Sequence, residues 1–149
     1  RTIKIPIPTT TTPETVTALL MSTLGEDSAG WFEVIGAGDI VPGKKPAPDI
    51  YHWVLDHLGL PAEQCIAVED SENGLRASLA AGLDTLVTVN EYTRFQDFTG
   101  AKLVLSDLGE PTKPFSVLGG EAQGINGSGW VDVDLMLKLK GWNAAEEAA

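Results

Sequence analysis

Two carboxylates, Glu69 and Asp70, stand side by side where the apolar run from Cys65 to Val68 gives way to Ser-Glu-Asn-Gly. Adjacent hard-oxygen donors at a strand end suit Mg²⁺, which takes one or two carboxylates and leaves its other positions to water and phosphate. A plainer role is helix capping, with Asp70 or Ser71 as the N-cap of a helix that begins near Asn73. Capping explains one polar residue but not a Glu and an Asp together on an otherwise apolar strand. Lys45 lies 24 positions before Glu69 and directly before Pro-Ala-Pro-Asp. The proline stiffens the backbone there, so the ammonium can be aimed, and a fixed lysine beside a carboxylate-bound metal can clamp phosphate. Its neighbour Lys44 reads as an ordinary solvated lysine. A third polar feature, Thr9 to Thr12, offers hydroxyls and backbone N–H groups just before a helix, an arrangement suited to phosphate and also common in turns and caps.

Other reactive residue types are less informative. His52 and His57 are five positions apart on one predicted helix and do not share a face as i, i+4 ligands do. Cys65 reads as a small buried hydrophobe. Tyr92, Thr93 and Arg94 follow a strand end and are candidates for lining a pocket.

These residues are positioned by alternating strands and helices. Ile3 to Ile7 reads as a strand, and Thr12 caps a helix with Pro13 in its first turn that runs to Gly25. A short strand lies within Trp31 to Ile40. The next helix opens at Pro48 and Asp49, carries Ile50, Val54, Leu55 and Leu58 at helical spacing, and stops at Gly59. Cys65 to Val68 is a buried-type strand and Asn73 to Ala81 a helix of small residues. Thr85 to Val89 and Lys102 to Leu105 are further strands. This order predicts an α/β fold with a parallel sheet covered on both faces, and such sheets bind ligands at the carboxyl ends of their strands. Glu69-Asp70, the threonine run and the segment after Val89 all fall at or near that edge. From Gly109 the pattern fails: a Gly-, Pro- and Ser-rich stretch reads as a linker, WVDVDLMLKLKGW as a final strand or short helix, and Asn143 to Ala149 as a frayed tail. The expected division is a core over residues 1–108 and a linker with C-terminal tail over 109–149.

The chain has 149 residues, 43% of them hydrophobic, and a formal charge of −11. That is enough material for one domain with its own core. No apolar run approaches the roughly 18 to 20 residues of a membrane span. The acidity argues against nucleic acid and anionic membrane as partners, since both are held by basic patches. An anionic substrate then needs a local cation or a metal. A single cysteine excludes an intrachain disulfide and fits a reducing compartment. The opening RTIKIPIP is neither a signal nor a transit peptide and reads as the interior of something longer.

Thr9 after an apolar strand, Lys45 in GKKPAPDIY and Glu69-Asp70 in AVEDSENGLRAS together resemble motifs two, three and four of the haloacid dehalogenase superfamily, in order and in spacing. KPAPDIY and EDSENG are similar to the branch that holds sugar-phosphate phosphatases and β-phosphoglucomutase. TTTTPETVTALL, AAGL and EYTRFQDFTGA most resemble its CbbY-like group, associated with the Calvin cycle and with dephosphorylation of xylulose-1,5-bisphosphate. The resemblance covers residues 1 to 108.

It implies a three-layer, Rossmann-like sheet with helices on both faces, incomplete in this chain. It also implies Mg²⁺ as cofactor, a small phosphorylated sugar as substrate, and an aspartyl-phosphate intermediate. On this resemblance Thr9 and Lys45 are the catalytic residues. Thr9 binds the transferring phosphoryl group, with Thr10 and Thr11 adding contacts, and Lys45 neutralises nucleophile and phosphate. Glu69 and Asp70 hold the metal, and Ser71 and Asn73 order the loop beside it. The family's first motif, Asp-x-Asp-Gly-Thr, does not occur here; Asp132-x-Asp134 lacks the Gly-Thr and lies in the tail. The cap that selects substrate is missing too. The expectation is the second half of a phosphatase core, inactive alone, partnered by the missing half or by itself, in bacterial cytoplasm or plastid stroma. A phosphomutase and a non-catalytic binding protein on the same fold are the alternatives. Pro6 and Pro8, two apart, remove N–H groups from one side of their strand. With the family's central strand absent, unpaired edges are expected to favour association or poor stability.

Overall fold

The computed structural model describes residues 3–122, 124, 125 and 129–142. Among the described residues, six strands and four α-helices follow one another as β1 (Pro6–Pro8), α1 (Pro13–Leu24), β2 (Val34–Gly36), α2 (Asp49–Leu58), β3 (Ile66–Glu69), α3 (Glu72–Ala80), β4 (Asp84–Thr88), β5 (Leu103–Leu105), β6 (Val117–Gly119) and α4 (Val133–Leu139). The fold is α/β, as the alternation requires. The strands form two sheets. β1 pairs with β2 in parallel, and β3, β4, β5 and β6 form a second sheet in that order, parallel except for β6.

Local chemistry accounts for the helices. Thr12 caps α1 by accepting from the backbone N–H of Thr15, and Pro13 occupies the first turn, where a missing N–H costs nothing. Gly59 ends α2 with φ 64°, a left-handed conformation that glycine adopts without a Cβ penalty. Ser71 caps α3, its hydroxyl accepting from the N–H of Gly74 at 3.2 Å. Capping therefore falls to Ser71 and leaves the Asp70 carboxylate out of that role.

Alternation along β4 and β5 sends side chains to two covered faces. Val87 and Val104 pack with Leu75 and Ala101, while Leu86, Leu103 and Leu105 pack with Leu135 and Leu139 of α4. α2 belongs to both sheets. It lies against β1 and β2, and its Ile50 and Tyr51 share a buried cluster with Ala67 of β3, Ala77 of α3 and Ala81 at the end of that helix.

Beyond Gly109 the structure departs from the expected linker. Val117 to Gly119 adds an antiparallel strand to β5, and within WVDVDLMLKLKGW the residues Val133–Leu139 form a helix that Asp132 caps by accepting from Leu135 N–H at 2.8 Å. Two buried leucines, each worth roughly 2 kcal/mol of transfer free energy, hold that helix to the sheet. Residues 143–149, read from sequence as a frayed tail, lie outside the described residues.

Candidate active site

The carboxyl ends of β1 and β3 meet at one side chain. Lys45 Nζ donates to the carbonyl oxygen of Pro8 at 3.2 Å and to Glu69 Oε1 at 2.5 Å. Thr9 follows Pro8 and Asp70 follows Glu69, so a single ammonium stands between the threonine run and the carboxylate pair. The side chains of Lys45 and Glu69 are 15% and 7% exposed, so their mutual attraction is little screened by solvent.

The loop that carries Lys45 is fixed at both sides. The N–H of Gly43 donates to Asp49 Oδ2 at 3.0 Å, a carboxylate in the first turn of α2. A Cβ on Gly43 would come within 2.7 Å of that oxygen, so the Asp49 carboxylate would have to shift to admit one. Lys44 pairs with Asp39 at 2.7 Å in solvent, as expected of a surface lysine, and this pair lowers the Asp39 carboxyl below its usual range.

Glu69 is held from three directions. Besides Lys45, it accepts a hydrogen bond on Oε1 from the Tyr51 hydroxyl. Its other oxygen packs on α3, where a Cβ on Gly74 would sit 1.8 Å from Oε2. Burial, with the negative charge and hydrogen bond of Glu69 and the charge of Asp70, pushes the Tyr51 phenol far above its ordinary range, so it remains a donor. Tyr51 escaped sequence reasoning because a tyrosine on an apolar helix face reads as core. Its position in the first turn after Lys45-Pro-Ala-Pro was the available signal.

Asp70 is exposed, and no hydrogen bond or ion pair among the described residues engages its carboxylate. Ser71 is half-buried in its capping role and Asn73 is exposed. Thr9 is half-buried; its N–H donates to Gly36 O at 2.8 Å and its hydroxyl accepts from Thr11 N–H at 3.2 Å. Thr10 and Thr11 are exposed. The structure thus brings Lys45, Glu69 and the start of the threonine run together.

The remaining candidates fall elsewhere. His57 stacks on Trp53 and its Nδ1 lies 2.7 Å from the Trp53 carbonyl, and His52 faces solvent. Cys65 is half-buried, and burial pushes its thiol up despite the nearby Lys140. In the turn after β4, Thr93 is buried and its hydroxyl accepts from Asn90 N–H at 3.1 Å, while Tyr92 and Arg94 are exposed.

No group of three or more Asp, Glu, His or Cys side chains placed to hold a metal ion by themselves occurs among the described residues. One or two carboxylates with water and phosphate are nonetheless a usual Mg²⁺ set, and Asp70 presents its carboxylate freely beside Glu69. Asp70 fits that ion, whereas Glu69 is taken up at Oε1 by Lys45 and Tyr51 and packed at Oε2 against α3. No helix among the described residues is long and apolar enough to cross a membrane.

Comparison with known proteins follows the same lines. A family model described as haloacid dehalogenase-like hydrolase matches residues 1–82. The plasmid CbbY protein of Cupriavidus necator is 48% identical over 112 residues, 75% of this chain and 44% of that protein. CbbY from Rhodobacter sphaeroides, solved with phosphate and, as a mutant, with xylulose-1,5-bisphosphate, superposes with a TM-score of 0.69 at 44% identity over 70% of this chain and 47% of that one. A structure described as a β-phosphoglucomutase from Thermotoga maritima gives 0.58 at 29% identity, covering 68% and 47%. The chain spans about half the length of the relatives it matches.

Proposed function

The chain belongs to the haloacid dehalogenase-like hydrolases, and on that premise we propose that it supplies the phosphate-holding and metal-holding half of a sugar-phosphate phosphatase of the CbbY type. The observation that carries this reading is Lys45, whose Nζ joins Pro8 O, beside Thr9, to Glu69, beside Asp70. An ammonium fixed at that point binds a phosphoryl group and offsets charge that develops during its transfer. Thr9, with Thr10 and Thr11, would orient the phosphate through hydroxyl and N–H donors. Asp70 would hold Mg²⁺ as its exposed ligand, with Glu69 set behind it against Lys45, and Ser71 and Asn73 shape the loop beside it. When bound, the ion supplies additional positive charge to the phosphate oxygens.

The nucleophile of the proposed aspartyl-phosphate step is not among these residues. The 149-residue chain alone is therefore expected to hydrolyse no phosphate monoester, and release of phosphate by the purified chain would overturn that. Xylulose-1,5-bisphosphate is the substrate proposed for the complete protein, by analogy with the ligand of the Rhodobacter sphaeroides structure. The similarity to a β-phosphoglucomutase favours one rival, transfer of phosphate within a sugar. Incubating the complete protein with the bisphosphate separates them, since a phosphatase yields inorganic phosphate and a mutase an isomeric sugar phosphate. A protein that merely binds on this fold would yield neither.

A further inference from the structure

We infer that Tyr51 is a positioning residue for the phosphate site, fixing Glu69 so that the carboxylate in turn fixes Lys45. Its hydroxyl donates to Glu69 Oε1, the same oxygen that accepts from Lys45 Nζ. One carboxylate oxygen thereby receives two donors, from α2 and from the loop immediately before it.

The geometry leaves Glu69 few alternatives. The residue is 8% exposed and Tyr51 4%. Gly74 closes the side of Oε2, where no Cβ fits. A glutamate has three rotatable side-chain bonds, and without a donor at Oε1 beyond the lysine itself its head group can turn with Lys45 as a mobile pair. The tyrosine holds it from a helix that is packed against both sheets. The aromatic face contributes as well, since Lys45 Nζ lies 5.1 Å from the ring centroid, within the range of a cation–π attraction. Ring and hydroxyl of one residue therefore define where the ammonium sits, although Tyr51 has no direct hydrogen bond to it.

The effect on phosphate rests on Lys45 being the phosphate ligand proposed above; the effect on Lys45 does not. Tyr51 also belongs to a buried cluster, so the test must separate the hydroxyl from the ring. Tyr51→Phe keeps the ring. In the 149-residue chain, the ¹⁵N-resolved ammonium signal of Lys45 reports how firmly Nζ is held. Tyr51→Phe is expected to raise its proton exchange with water roughly fivefold or more while amide shifts remote from the site stay unchanged. Inorganic phosphate should bind roughly five- to tenfold more weakly to the variant.

An exchange rate within twofold of the unsubstituted chain overturns the inference. If the unsubstituted chain binds no phosphate, the proposed phosphate role of Lys45 fails, and the exchange rate alone still decides the role of Tyr51. Should Tyr51→Phe not fold, 3-fluorotyrosine labelling replaces it, because the chain has only two tyrosines and Tyr92 is solvent-exposed. The ¹⁹F resonance of residue 51 should then move on Glu69→Gln while that of Tyr92 stays. An unmoved residue-51 signal refutes the contact.

Discussion

Lys45 and Glu69 form a 2.5 Å ion pair that, with the 3.2 Å bond from Lys45 to Pro8 O, ties together two sheets that share no backbone ladder among the described residues. Breaking a buried pair is costly because the surviving charge keeps its desolvation penalty. Lys45→Met is expected to destabilise the chain by about 3 kcal/mol, measured by urea unfolding. Lys45→Met combined with Glu69→Gln should be milder, since no uncompensated charge remains. A double variant as unstable as the single one would mean the lysine acts through packing rather than charge.

Gly74 sets two effects against each other. It lies in the first turn of α3, where helix propensity alone favours alanine by roughly 1 kcal/mol. A Cβ there would stand 1.8 Å from Glu69 Oε2, and the carboxylate has no free direction to yield. Gly74→Ala should therefore destabilise, by roughly 2 kcal/mol as overpacking does. It should also displace Glu69 and weaken the hold on Lys45. A higher melting temperature would show that the site is looser than its contacts imply.

How much of this was legible follows from the range of each signal. Thr12, Pro13, Gly59 and Ser71 act on their own helix ends, and their meaning was readable from neighbours alone. Lys45 and Glu69 stood out because charge is unusual at the boundary of an apolar strand. The Tyr51 hydroxyl could not be read, because its partner lies 18 positions away and the residue type is equally at home in a core. The strand Val117 to Gly119 was missed for a different reason. It has three exposed residues between glycines and prolines, so neither alternation nor β-branched enrichment marks it. Only its pairing with β5 makes it a strand.

Acid should find a second weak point at the opposite end of β4. Asp84 accepts from Lys140 at 2.6 Å and pairs with Lys102 at 3.5 Å. Burial alone would raise its carboxyl, but the two lysines outweigh burial and hold it below the usual range. A depressed folded value means that the stabilisation is present above the unfolded pKa, near 4. It is lost as pH falls through the lower folded value. Asp84→Asn should thus cost about 1 kcal/mol at neutral pH. The gap between variant and parent should close as the pH drops below about 4. Urea midpoints across that range check it, and a gap independent of pH would rule out the charge as its source.

The open side of β1 carries acceptors without donors. Ile5 O accepts from Glu33 N–H and Thr9 N–H donates to Gly36 O, so the peptide groups of residues 5 and 9 face β2. By the alternation of a parallel ladder those of Pro6 and Pro8 face away, and Pro8 O indeed meets Lys45. Neither proline has an N–H, so a strand arriving at this edge finds carbonyls only. Proline on an edge is a familiar guard against strand addition. This tempers the expectation that both unpaired edges invite association: β1 is blunted, whereas β3, with Val68 46% exposed, is not. Replacing Pro6 and Pro8 together with valine restores two donors and a β-favouring side chain. The variant should self-associate at lower concentration than the parent, as read by sedimentation velocity. An unchanged mass distribution would mean that the edge is kept single by something other than its missing N–H groups.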